Sequence, residues 1–279
     1  MLRSSNPILS KKDAFTPAAP NAGGYAPYPG QDAYQQNPYG QPQGSGSYGG
    51  APARTEGRMT LDDVITKTAM MIGLLVITAA LSWTFIPDSL YMPALILSAL
   101  VGFITVLLVS FRRNISPPMV FAYAAIEGVF IGMISKLFNS YYPGIVVQAV
   151  IGTFIAAGVT LAAYKFFNIK VTPKFRRVVI ISTFAFAGAM LVNFILSLFG
   201  INLGIRDGGA GPISLLAIAF SLLGVVLAVL NLVLDFDYIE QGVAIGAPAS
   251  ESWRGAFGLT VTMVWLYVEI LRLLSYIRR

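Results

Sequence analysis

The sequence predicts an all-α membrane protein: a bundle of seven transmembrane helices with a central seventh helix, preceded by a disordered tail. Three observations predict it. Hydrophobic residues make up 56% of the chain and charged residues 11%, with a mean hydropathy of +0.69, which is too apolar for an ordinary soluble domain. Seven apolar runs follow one another after Thr60, each near the ~20 residues that cross the hydrocarbon of a bilayer. The last run also holds an acid and a base, Glu269 and Arg272. A helix with both seldom faces lipid, so the seventh is expected to be central, surrounded by the other six.

Residues 1–58 are of a different composition. The stretch GGYAPYPGQDAYQQNPYGQPQGSGSYGGAP is rich in Gly, Pro, Gln, Ser and spaced Tyr and has no apolar stripe to bury, so it is expected to be disordered. No apolar segment follows Arg3, which excludes a secretory signal there and keeps the tail on the cytoplasmic side. It serves either as a solvated linker or as a tyrosine-bearing tether for partners. The seven-helix domain is expected over 59–279.

The acidic LDDV ahead of ITKTAMM suits a helix start and opens the first run, Thr68 to Phe85. Turn chemistry in IPDSLYMP, RRNISPP and NSYYPG then bounds Met92 to Phe111 and Met119 to Phe138. Ile145 to Tyr164 ends at the basic NIKVTPKFRR, and Val178 to Phe199 ends at NLGIRDGGAGP. Ile213 to Leu234 and Ala256 to Ile277 complete the set. Connections this short make sequential antiparallel helices the default packing.

Orientation follows from Lys and Arg, 19 in all. With the tail inside, the cytoplasmic side holds 14: Arg3, Lys11, Lys12, Arg54, Arg58, Lys67, Arg112, Arg113, the five from Lys165 to Arg177, and Arg254. Lys136, Arg206, Arg272, Arg278 and Arg279 make five outside. The bias places the amino terminus in the cytoplasm and the carboxyl terminus outside the cell's inner (plasma) membrane. The net charge of +6 is therefore read as topology, with no nucleic-acid partner implied.

The chain has neither cysteine nor histidine. Disulfides, thiol nucleophiles, Ser-His catalysis and His-based zinc or haem sites are thereby excluded. There is no GK[ST] phosphate loop and no lysine in the seventh run for a Schiff base, so no enzyme and no resident cofactor are expected. Chemistry then rests on carboxylates and oxygen ligands.

Glu127 lies near the middle of the third run, where an ionised carboxylate costs at least a few kcal/mol unless protonated or paired. It either fixes helix register by hydrogen bonding or belongs to an ion path. Ala124, Gly128 and Gly132 form a small-xxx-small ridge for close helix approach. In NLVLDFDYIE, Asn231 and Asp235 are four apart and share a helix face. Asp235 ends the sixth run at the inner mouth, while Asp237 and Glu240 are read as acids solvated at the headgroups. In the seventh run Thr262, Leu266 and Glu269 share a face, and Glu269 with Arg272 is an i, i+3 pair able to neutralise itself.

The segments AIEGVFIG, DFDYIEQG and WLYVEILRLL, in this order on the third, sixth and seventh helices, resemble the Bax-inhibitor/YccA family of integral membrane proteins. The similarity is read over Met59 to Arg279. It implies a seven-helix bundle with a central last helix and, for members studied as transporters, a pH-sensitive calcium leak gated by two aspartates. Asp235 matches the first of them, Glu127 the family's third-helix glutamate, and Arg272 its seventh-helix arginine. The second aspartate falls at Thr262, and Glu269 lies two turns further on, roughly 10 Å along the axis. Either Glu269 replaces it at another depth, or Asp237 or Glu240 joins Asp235, or the gate differs.

The expected function is thus a pH-sensitive calcium leak or calcium/proton exchange protein gated by Asp235, Glu127 and Glu269, the acids expected to face the bundle. Asp235 is the candidate ligand for calcium as the transported ion, since hard oxygen ligands suit it. Besides the lipid bilayer, the resemblance implies a membrane protease or another membrane protein as a partner, because similar bacterial proteins are associated with such a protease. The alternative function is a regulator or binding partner of that protease with no transport role.

Overall fold

A computed structural model describes residues 57–112, 115–167, 169–201, 203–205 and 214–278. The chain divides into two units, Met1–Ala51 and Pro52–Arg279, and the second holds all of the helices named below. The expected disorder of the tail concerns residues outside those described, apart from its last two.

Seven helices in the described residues are long and apolar enough to cross a membrane. They are α1 Leu61–Phe85, α2 Tyr91–Ser110, α3 Pro117–Tyr141, α4 Ile145–Phe166, α5 Pro173–Leu198, α6 Leu215–Ala244 and α7 Glu251–Ile277, with a short 3-10 turn Asp88–Leu90 before α2. Local chemistry sets their starts. The Thr60 hydroxyl accepts from the Asp63 amide ahead of α1, Thr172 accepts from the Phe175 amide with Pro173 following, and Ser214 accepts from the Leu216 amide at α6. Each cap satisfies a backbone donor that has no partner in the first turn.

The apolar runs locate the helices but shorten four of them by five residues or more. α1 begins seven residues before Thr68, α5 five before Val178 and α7 five before Ala256, and α6 continues ten past Leu234. A run marks the part of a helix that sits in hydrocarbon, whereas backbone hydrogen bonding carries the helix beyond it. Asp235, Asp237 and Glu240 consequently lie inside α6 and not beyond its end.

The α7 helix is central. It packs against α1, α3, α4 and α6 and reaches α5 through Trp265, whose ring lies 5.7 Å from that of Phe186. α2 packs mainly on α3 and reaches α7 where Val109 is buried with Ala256 and Phe257, and α5 packs on α6. The expected ridge on α3 is a contact with α1. A Cβ at Gly128 would lie 2.5 Å from the Leu75 carbonyl oxygen and would overlap the Thr78 hydroxyl; one at Gly132 would overlap Ser82 and the Ala79 carbonyl. Only hydrogen at these positions lets the two backbones meet.

The segment just before α1 is part of the bundle. The Met59 amide donates to the Ala247 carbonyl at 2.8 Å and the Ala249 amide to the Gly57 carbonyl at 2.7 Å, with Arg58 bridged to Pro248. The Met59 side chain is buried with Val64 and Ile239 against Gly242. Lys67 of α1 closes the same corner. Its ammonium donates to Asp63 at 2.6 Å and to the Ala249 carbonyl at 3.1 Å, and lies 4.9 Å from the Trp253 ring centre. Residues 57–59 thus strap the turn between α6 and α7, although composition alone assigns Gly57 and Arg58 to the tail.

Candidate functional site

Asp235 projects from α6 toward α7. There the Thr262 hydroxyl donates to its Oδ2 at 2.7 Å, and Gly258, one turn earlier on α7, lies so close that a Cβ would sit 3.1 Å from Oδ1. The position expected to lack a partner for Asp235 therefore supplies one, a hydroxyl in place of a second acid. A cavity of about 330 Å³ opens beside the pair, lined also by Tyr238 and Arg254. These two are joined through Glu251: the Tyr238 hydroxyl donates to its Oε2 at 2.7 Å, and Arg254 Nε lies 2.9 Å from the same oxygen. Sequence reasoning missed this rim. Its available signal was the i, i+3 spacing of Glu251 and Arg254 at the start of the last helix.

The other acids do not join Asp235. Asp237 is two residues further along α6, roughly 200° around the helix, and is buried, which overturns its reading as a headgroup acid. Its Oδ2 accepts from Arg176 Nη2 of α5 at 2.7 Å and from Gln241 Nε2 at 2.7 Å. Burial is tolerated because the charge is paired and hydrogen-bonded. Asp235, Glu127 and Glu269 are accordingly not the whole set of inward acids. Glu240 is exposed, as expected, and accepts from the Tyr164 hydroxyl at 2.5 Å.

Removing the Asp237 partner is expected to be costly. Arg176→Met leaves a buried carboxylate with one neutral donor and should lower stability by about 1–2 kcal/mol, the low end for charged hydrogen bonds because the arginine is partly exposed. A fall in the thermal midpoint of the detergent-solubilised protein, absent from Lys174→Met, checks this.

Asn231 also turns away from Asp235 despite their four-residue spacing. Its amide donates to the Thr183 hydroxyl of α5 at 2.8 Å and to the Leu227 carbonyl at 2.8 Å. Four residues advance a helix by about 400°, and the remaining 40° is enough to direct the two side chains to different neighbours. Glu269 is fully buried at 1% exposure and packs on Gly224 of α6, where a Cβ would meet its Cδ at 2.8 Å. Together with Glu127 and Thr183 it lines a second cavity, of about 500 Å³. Arg272 follows on α7 and is partly buried. The structure thus separates the expected site residues into two groups: Asp235 with Thr262, and Glu127 with Glu269, to which Asn231 is linked through Thr183.

Among the described residues no three acids gather as a metal cluster would require. One carboxylate, a threonine hydroxyl and a nearby phenol are too few for a resident calcium, which takes 6–8 oxygens. They suit an ion that keeps much of its water while it passes. Chemically, the arrangement can hold or release a proton at Asp235 and so alter the strength of the bond that ties α6 to α7, since hydrogen bonds to a charged acceptor are roughly twice as strong as neutral ones.

A comparison with curated proteins finds no match. A family model described as Bax inhibitor 1 like matches residues 6–279, so the match extends into the tail, further than the segments on the third, sixth and seventh helices suggested. With seven spans, α7 central among them, and nearly the whole chain matched, this multi-pass membrane protein belongs to the Bax inhibitor 1-like family.

Proposed function

We propose that this protein is a pH-sensitive cation leak, or a calcium/proton exchanger, gated where α6 meets α7, with calcium as the transported ion and no catalytic activity. The observation that carries the reading is the Asp235–Thr262 hydrogen bond beside an open cavity, at the positions where the family resemblance implies a pair of gating aspartates. When Asp235 is ionised it accepts a charge-assisted bond that holds the helices together. Protonation removes the charge and weakens that bond by about 1.4 kcal/mol, a tenfold change in the open population. Flux accordingly rises as pH falls through the titration of Asp235. The bias of Lys and Arg supports an inner-membrane location with the amino terminus in the cytoplasm, and this puts the cavity at the inner end of the bundle.

Calcium entry into dye-loaded proteoliposomes at neutral and mildly acidic pH tests the proposal. The intact protein should leak faster at the acidic value. Asp235→Asn, neutral at every pH, should leak at the fast rate at both. No calcium entry through well-reconstituted protein would overturn the reading.

A second reading, a regulator or partner of a membrane protease without transport, is favoured by the strap formed by residues 57–59. It fixes residues 57–59 beside the α6–α7 turn, where a protein partner would meet the bundle. Co-purification of a protease that is lost on deleting residues 1–56, together with absent flux, supports this alternative.

A further inference from the structure

The larger cavity, of about 500 Å³, is walled by α2, α3, α5 and α7, and aromatic rings enter it from each of them: Phe103 from α2, Phe130 from α3, Phe186 from α5 and Trp265 from α7. Glu127 and Glu269 open into it. Glu127 reaches across to α2, where Gly102 has no side chain; a Cβ there would stand 2.7 Å from Oε2. No hydrogen bond or ion pair from any described residue reaches the Glu127 carboxyl, in contrast to Asp235, Asp237 and Glu240. A carboxylate in mid-membrane without a protein partner is costly to keep unless a cation or a proton meets it.

The surroundings select among cations. Calcium-like ions need a tight shell of six or more oxygens. This lining offers the two carboxyls, the Tyr123 hydroxyl and the Thr183 hydroxyl, spread over a wide space that is otherwise apolar. Ring faces attract cations, and an apolar cavity of this size with a few polar groups accepts a drug-sized molecule. Access is lateral. α5 packs mainly on α6, and Phe103 of α2 and Leu191 of α5, which both line the cavity, are exposed at the surface, as side chains facing hydrocarbon would be.

We propose that this cavity binds a lipophilic organic monocation, such as an aryl phosphonium or a bulky ammonium, that enters from the bilayer between α2 and α5. Its charge rests on the unpartnered Glu127, with Glu269 as the second acid, and its apolar groups lie against the rings. The site is separate from the gate, since Asp235 lines the other cavity.

The test is equilibrium binding of radiolabelled tetraphenylphosphonium to the full chain in lipid nanodiscs, read against empty nanodiscs. Saturable binding at one per chain is expected. Glu127→Gln should weaken it at least tenfold, and so should Ala99→Phe, which fills the cavity from α2 without altering either acid. Asp235→Asn should bind as the intact protein does, so loss of the proposed gate and loss of this site are told apart. A neutral tetraphenyl compound of the same size should compete at least tenfold more weakly. Should Glu127→Gln fail to fold, Ala99→Phe and the neutral competitor decide. Binding no greater than to empty nanodiscs, equal affinity in Ala99→Phe, or equal competition by the neutral compound would overturn the proposal, the last by assigning the cavity to lipid chains.

Discussion

Gly128→Ala is expected to destabilise the bundle by more than about 3 kcal/mol, although it adds one methyl to a helix. The added Cβ would stand 2.5 Å from the Leu75 carbonyl oxygen and 3.0 Å from the Thr78 Cβ, and would overlap the Thr78 hydroxyl. Backbone cannot swing aside as a long side chain can. α1 must instead retreat from α3, and the retreat opens the packing along Leu75, Ala79, Ile131 and Tyr267. Gly158 on α4 is the control, because nothing lies within 4 Å of its Cβ position. Gly158→Ala should be neutral or stabilising by up to ~1 kcal/mol, the helix propensity difference. Thermal melting of both variants in detergent checks the contrast; equal midpoints would mean that α1 and α3 do not meet at Gly128.

Thr262→Asp is expected to change the shape of the pH response as well as its position. With Thr262 in place, one titrating carboxyl governs the α6–α7 contact, and flux should follow a one-proton curve. An aspartate within hydrogen-bond reach of Asp235 cannot ionise independently of it, so the pair titrates in two macroscopic steps and the response broadens accordingly. Thr262→Val separates the two contributions. It removes the 2.7 Å bond while keeping the shape, and should raise flux at neutral pH about tenfold, toward the acidic level of the intact protein. Proteoliposome flux measured across a pH series reads all three proteins in one assay. A one-proton curve in Thr262→Asp, or neutral flux unchanged in Thr262→Val, would show that α6 and α7 are not held at this point.

The spans were legible because hydrocarbon requires long apolar runs, and nothing else in the chain resembles them. The ridge of Gly128 and Gly132 was legible as spacing, but the identity of α1 as its partner was not, since any helix could accept small residues. Asp235 stood out as an acid at a membrane depth that penalises it. Its contact with Thr262 crosses 27 residues, and helix periodicity places residues on a face without saying which helix that face meets. Asp237 was misread for the same reason: Arg176, its partner, is 61 residues away, and an acid near the end of an apolar run looks solvated until a cation is brought to it. The strap of residues 57–59 left no pattern at all, because a single backbone bridge uses carbonyls and amides that every residue has.

The central claim is that Asp235 changes protonation over the pH range in which flux changes. Infrared difference spectra of the reconstituted protein between neutral and acidic pH read it directly, through the carbonyl stretch of a protonated carboxyl. Such a band should appear on acidification with the midpoint of the flux curve, and should be missing in Asp235→Asn while remaining in Glu127→Gln. A band that persists unchanged in Asp235→Asn, or that rises at a pH where flux is already constant, would contradict the account.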